Sequence, residues 1–153
     1  MTDARTALAT HPFFAGVDPR LVGLVAPLAR IGRWAAGSWI ARTGTPATEF
    51  VLVTAGRAGV EIATPGRAPL VVSTVHEGEV IGWSWFLPPH TWHFDVVALT
   101  EVSCVAVDAA ALRAACGADH ELGYEVATRL IRVMASRLEA TRHQLVDVYG
   151  TPR

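Results

Sequence analysis

Lysine is missing from this sequence of 153 residues, and all thirteen of its cationic side chains are arginine. With fourteen acids the formal charge is −1, and no cluster of cations is dense enough to grip a phosphate backbone. Nucleic acid is therefore not expected as a direct partner. Cysteine is scarce: Cys104 and Cys116 cannot build a disulfide framework and have no metal-ligand spacing. Cys104 lies in the apolar run 102–107, which reads as a buried, reduced thiol. Long hydrophobic runs are lacking too, since no apolar stretch approaches the roughly 20 residues that a bilayer crossing requires. The opening Met1-Thr2-Asp3-Ala4-Arg5 meets an acid at once and develops no secretory core, so a cytoplasmic protein with no membrane partner is expected.

What is present is a chain 51% hydrophobic whose apolar residues are dispersed in short alternating runs. Its length fits one domain with a sizeable core, assigned here to residues 1–153. Asp18 is a candidate helix cap, Pro19 suits the first helical position, and Leu21, Leu24, Val25 and Leu28 follow at helical spacing. Upstream, His11-Pro12-Phe13-Phe14 reads as an aromatic plug for the core. From Arg30 to Val107 the pattern changes to short strands punctuated by Gly37, Gly44, Gly56, Gly66, Gly78 and Gly82. The runs 50–53 and 60–62, separated by Ala55-Gly56-Arg57, read as a hairpin. Pro65-Gly66 favours a tight turn, with 70–75 as the return strand. Many short strands with regular turn signals suggest a sandwich, barrel or jelly roll.

Helical signals return after Val107. Asp108 can cap a short helix through Cys116, and Asp119 opens a long one reaching about Tyr149. Along it Ala127, Ile131, Met134, Leu138, Thr141, Leu145 and Val148 alternate steps of four and three, a heptad seam. Leu122, Val126, Leu130 and Val133 make a second stripe in the first half only. Two stripes need two partners. One is expected to pack on the β-roll, and the other on the same helix (119–149) of a second subunit.

The order of elements and the glycine pattern together resemble the cyclic nucleotide-binding domain of the catabolite activator and related regulators. The pieces that carry the resemblance are His11-Pro12-Phe13-Phe14, Gly37-Ser38-Trp39-Ile40, the segment from Gly44 to Phe50, Gly56-Arg57-Ala58-Gly59-Val60 and Gly78-Glu79-Val80-Ile81-Gly82. The resemblance implies a mainly β fold with flanking helices. That fold is a double-stranded β-helix, or jelly roll, over 11–107 with its leading helix, followed by C-terminal helices over 108–149. The last of these helices is the dimerising one. It also implies a phosphate-binding cassette between two late strands. In ligand-competent members a glycine–glutamate pair opens the cassette and an arginine followed by a small hydroxyl residue closes it. The glutamate holds the ribose hydroxyl and the arginine pairs with the cyclic phosphate.

In this sequence Gly82 matches the family glycine, but Trp83 stands in the place of the glutamate. Anchoring the next strand on Val96-Val97-Ala98 puts Trp92 at the arginine and His93 at its small neighbour. Independently of alignment, no arginine or lysine occurs between Arg67 and Arg113. A cyclic phosphate carries a full negative charge, and burying it without a paired cation is costly. Tight cyclic nucleotide binding is accordingly not expected.

Three of the five tryptophans, Trp83, Trp85 and Trp92, fall within ten residues. Two readings fit them. Their rings suit a flat or apolar ligand held by Gly82, Trp83, Ser84, Trp85, His90, Trp92 and His93, or they fill the vacated nucleotide cavity. His93 and Asp95, two apart on an expected strand, would share a face and form an orienting pair. A cupin-like metal enzyme drawing on His76, Glu79, His90 and His93 is the alternative from another class, but its His-x-His spacing is missing. Ser84 in Gly-Trp-Ser-Trp-Phe lacks the second glycine of a nucleophile elbow. The chain is thus read as a regulatory, ligand-sensing homodimer with no resident cofactor, and not an enzyme. A cyclic nucleotide or another small molecule is its ligand class. A cyclic nucleotide-binding regulator with non-standard contacts is a further alternative. In the family's transcription regulators a helix-turn-helix reader follows the long helix. If the protein ends at Arg153, output is expected through a protein partner or the dimer itself, and if the sequence is a fragment, the reader would restore transcription control.

Overall fold

Alternating apolar side chains between Ala29 and Asp108 fold into eight antiparallel strands in the computed structural model, which describes residues 2–149. The strands are β1 (Ala29–Trp34), β2 (Trp39–Ala41), β3 (Glu49–Ala55), β4 (Ala58–Ile62), β5 (Leu70–Val75), β6 (Val80–Ile81), β7 (Asp95–Ala98) and β8 (Val102–Asp108). They form two four-stranded sheets, ordered β1-β8-β3-β6 and β2-β7-β4-β5. Two sheets burying their inner faces against each other make the expected jelly roll.

One local expectation fails. β3 and β4 do not pair across Ala55-Gly56-Arg57, because β3 bonds to β8 and β6 while β4 bonds to β5 and β7. The glycine turn carries the chain from one sheet to the other. Gly56 has φ +90°, and a Cβ there would stand 2.1 Å from the Glu101 carbonyl oxygen, so only glycine passes this crossing. The hairpin of the roll is β4–β5, closed through Pro65-Gly66 with Ile62 opposite Leu70.

The helices begin where capping residues stand. α1 (Ala4–Thr10), which hydrophobic periodicity alone does not reveal, starts at Asp3, whose carboxylate accepts from the Thr6 N–H at 2.8 Å. α2 (Pro19–Val25) is capped by Asp18 and continues as a 3₁₀ turn through Leu28. Asp108 caps α3 (Ala109–Ala118), which runs past Gly117. Asp119 accepts from the Leu122 N–H at 3.1 Å and opens α4 (His120–Tyr149).

Between α1 and α2 the 3₁₀ turn Pro12–Phe14 drives two rings into the core. His11 staples this turn: its Nδ1 accepts from the Phe13 N–H at 3.1 Å and its Nε2 lies 2.9 Å from the Val53 carbonyl. Those partners require the neutral Nε2–H tautomer. From here the rings of Phe13, Phe50 and Trp85 pack in a row, at centroid distances of 5.0 and 4.6 Å, across the roll to the loop after β6.

On α4 the two stripes separate as expected. Leu122, Val126 and Leu130 are buried, with Val133 packed against them, whereas Ile131, Leu138, Leu145 and Val148 are exposed. None of the described helices is long and apolar enough to cross a membrane. Both thiols are buried, and burial pushes Cys104 up to about 11.

Candidate functional site

The loop of residues 82–94, between β6 and β7, leaves the sheet at Gly82 with φ +68°. A Cβ at this position would lie 3.0 Å from Cζ3 of Trp92, so the indole rests directly on the glycine backbone. Trp92 is held there from both sides by main chain. Its N–H donates to the Thr45 carbonyl at 2.9 Å, and its carbonyl accepts from the Gly44 N–H at 2.8 Å. Just before it, His90 takes φ 58° and its carbonyl accepts from the Ala47 N–H at 2.7 Å. The loop therefore returns along residues 44–47, a pairing that neither segment declares in its own sequence. At 8% exposure, Trp92 closes the space above Gly82 rather than lining an open cup.

The other two tryptophans have different surroundings. Trp85 has no exposed surface and stacks on Phe50, so its ring belongs to the core. Its indole N–H is buried without a hydrogen-bond partner, a departure from the usual satisfaction of buried donors. The Trp85 carbonyl accepts from the Arg113 guanidinium. Trp83 is half-buried, with its ring 5.1 Å from the exposed imidazole of His93. Ser84 is buried, and its Oγ lies 3.0 Å from His93 Nδ1.

The expected His93–Asp95 pair does not form. β7 begins only at Asp95, so His93 belongs to the loop and turns back to Ser84. Asp95 instead accepts from the Thr43 N–H at 2.8 Å, with Arg42 Nε at 3.8 Å. The Ser84–His93 contact is one that sequence reasoning missed, since residues nine apart meet only because the loop folds back. It is a poor nucleophile: the hydroxyl is closed off from solvent, and the carboxylate that would orient the imidazole is committed elsewhere. Among the described residues, His76, Glu79, His90 and His93 form no cluster able to hold a metal ion, which removes the geometric basis of the cupin alternative.

Cations are sparse around this loop. Arg113, contributed by α3, reaches it through Trp85, another contact that the sequence did not disclose. Arg42 borders it with its guanidinium 4.3 Å above the Trp39 ring. The arrangement offers aromatic faces, one hydroxyl and two imidazoles, with little to balance a buried negative charge.

The profile of the cyclic nucleotide-binding domain family matches residues 32–119. Among solved structures, a cyclic nucleotide-binding domain from Methylobacillus flagellatus is similar with a TM-score of 0.77 and 16% identity, over 92% of this chain and 78% of that one. The N-terminal domain of a transcriptional regulator from Streptomyces coelicolor gives 0.64 and 26%, over 91% and 94%. A cAMP-binding acyltransferase from Mycobacterium smegmatis gives 0.70 and 27%, over 90% of this chain but only 41% of that one. No curated protein matches the chain.

Proposed function

The chain belongs to the cyclic nucleotide-binding domain family, and we propose that it is a regulatory module whose cassette no longer binds cyclic nucleotides tightly. The observation that carries this reading is the Trp92 indole lying on Gly82, at the position to which the family resemblance assigns the phosphate-pairing arginine. An indole supplies one N–H donor and no charge, so a cyclic phosphate placed here would lose its hydration without gaining a counter-ion. Any ligand of the cassette is then uncharged or apolar and meets the half-open face of Trp83 and His93, beside the space that Trp92 closes above Gly82. His90 supplies a polar contact, Ser84 holds the His93 imidazole through its hydroxyl, and Trp85 backs the site from the core.

Calorimetry of the full chain with cyclic AMP and with cyclic GMP tests this reading. No heat of binding at micromolar concentrations is expected. Micromolar affinity for either would overturn it in favour of a cyclic nucleotide regulator with non-standard contacts. That second reading has one observation behind it, since Arg113 already reaches the cassette from α3.

The output side of the proposal is a homodimer through α4. Its exposed stripe of Ile131, Leu138, Leu145 and Val148 keeps the heptad spacing of a two-helix seam. In a parallel pairing Arg137 would face Arg142 of the partner subunit at the flanking positions, two like charges. Arg137 is drawn instead onto the Val80 carbonyl of its own roll, which relieves that repulsion. A ligand in the cassette that shifts the docking of α4 would bias two dimer arrangements, and a protein partner would read the difference. Light scattering is expected to give twice the chain mass, and a monomer at hundreds of micromolar would sink the dimer.

A further inference from the structure

On the side of α4 that faces the N-terminal turn, a cleft of about 320 Å³ lies between Pro12–Phe13, the turn before β6 and the helix. Its chemistry is opposite to that of the cassette. Arg129, Arg132, Ser136 and Arg137 line it from one face of α4, at the i, i+3, i+7, i+8 spacing that aligns side chains along a helix. Gly78 and Glu79 line it from the roll. Three guanidinium groups thus meet one carboxylate, in a chain whose overall charge is −1.

The three arginines are not equally satisfied. Arg129 is held by Glu125 at 3.2 Å and donates to the Phe13 carbonyl at 3.0 Å, so it belongs to the structure. Arg137 is largely buried and donates to the Val80 carbonyl. Burial lowers its pKa, and the Glu79 charge opposes that shift only in part. A guanidinium has five N–H donors, and one carbonyl leaves most of them free. Arg132 stands at the lip and, among the described residues, has no hydrogen bond or ion pair. Glu79 is itself engaged, since its Oε1 accepts from the His76 N–H at 2.7 Å.

We propose that this cleft binds the oxyanionic group, phosphate or carboxylate, of a small molecule, with Arg132 and Arg137 as its forked donors and Ser136 as a hydroxyl partner. Arginine is the side chain best matched to such groups, because its planar fork gives two parallel charge-assisted hydrogen bonds. The volume sits at the lower end of the roughly 300–1,000 Å³ range of ligand pockets, which fits a small metabolite rather than a cofactor. The site is separate from the cassette but next to it in the chain. Gly78 and Glu79 lead through β6 into Gly82, so an anion clamped against α4 would tie the helix to the strand that enters the cassette. The proposal does not depend on what the cassette binds.

The test is an amide-resolved NMR titration of the full chain at low salt, with inorganic phosphate and, separately, succinate. Saturable shifts of the Gly78 and Ser136 amides by at least one anion are expected, and the anion that produces them decides between phosphate and carboxylate. Arg132→Gln should weaken that binding about tenfold, the loss of one charge-assisted contact. Arg142→Gln removes a cation further along the same helix, outside the cleft, and should leave the affinity within about twofold. No saturable shift from either anion would overturn the site. Equal weakening by both substitutions would overturn it too, because the attraction would then be diffuse.

Discussion

The two halves of α4 share one helical repeat but have opposite surroundings. In the inner half Leu122, Val126 and Leu130 face the roll and are no more than 2% exposed. In the outer half the apolar side chains belong to the other stripe, and Leu138, Leu145 and Val148 stand 53–71% exposed, as Ile131 of the same stripe does at 63% in the inner half. Both stripes have helical spacing, so amphipathic spacing alone does not decide burial. The difference is which face of the helix the roll covers. Over its thirty residues α4 lays one stripe on the roll and leaves the other exposed, the face to which the proposed dimer is assigned.

The largest expected effect that sharpens this contrast is Leu130→Ala. It removes a buried branched side chain and should cost about 2–5 kcal/mol in chemical unfolding, because the surrounding core relaxes only partly. A loss below about 1 kcal/mol would mean that the inner half is not anchored as described. Next comes pH. Burial holds His11 below the usual histidine value, the Val53 carbonyl opposing the shift. A group held neutral in the fold but free to protonate when unfolded contributes stability above its unfolded pKa, near 6.5, and that stability is lost as pH falls through the lower folded value. His11 staples the turn whose Phe13 carbonyl receives Arg129 of α4. The melting temperature should therefore drop from pH 7 toward pH 5, and His11→Gln should flatten that dependence.

A smaller effect is expected at the start of the inner half. Arg20 joins α2 to Asp119 and Glu121, both at 2.8 Å, but the cluster is exposed and screened. Arg20→Ala should lower the melting temperature only slightly, and less so in high salt. The smallest change in the folding stability of the single chain, read at dilutions where it is monomeric, belongs to Leu138→Glu in the outer half, within about 0.5 kcal/mol for a position exposed in one chain. The same substitution should abolish self-association in light scattering. A variant that unfolds instead would show that the outer half is packed within one chain. The buried thiols add an independent check: with Cys104 raised to about 11, a thiol reagent at pH 8 should react on the timescale of unfolding.

Much of the fold is legible in the sequence. Asp18-Pro19, Asp108 and Asp119 announced three helix starts, and the strand runs after Arg30 announced the roll. α1 was not read, since Asp3 alone signalled it and only Ala7 and Leu8 bury an apolar face. The supposed hairpin at Ala55-Gly56-Arg57 misled because a glycine turn between two strands looks the same whether the strands pair or part into different sheets. In the cassette, substitution of tryptophan for the family's contacts was visible in the sequence. The unequal fates of the three rings were not: Trp85 went to the core, Trp92 onto Gly82, and Trp83 to the half-open face beside His93.

Composition and periodicity by themselves settled what depends on neighbours in the chain. They settled the heptad spacing and second stripe of α4, the capped helix starts, the absence of lysine and the cation gap between Arg67 and Arg113. Tertiary structure alone decided what depends on residues far apart in sequence. It set Arg113 against Trp85, Arg137 against Val80, and Ser84 against His93 in preference to Asp95. The reason is physical: a repeat of 3.6 or two residues is imposed by the backbone and recurs locally. Which polar group meets which is set by how two sheets and a helix close around one core, and no local pattern encodes that closure.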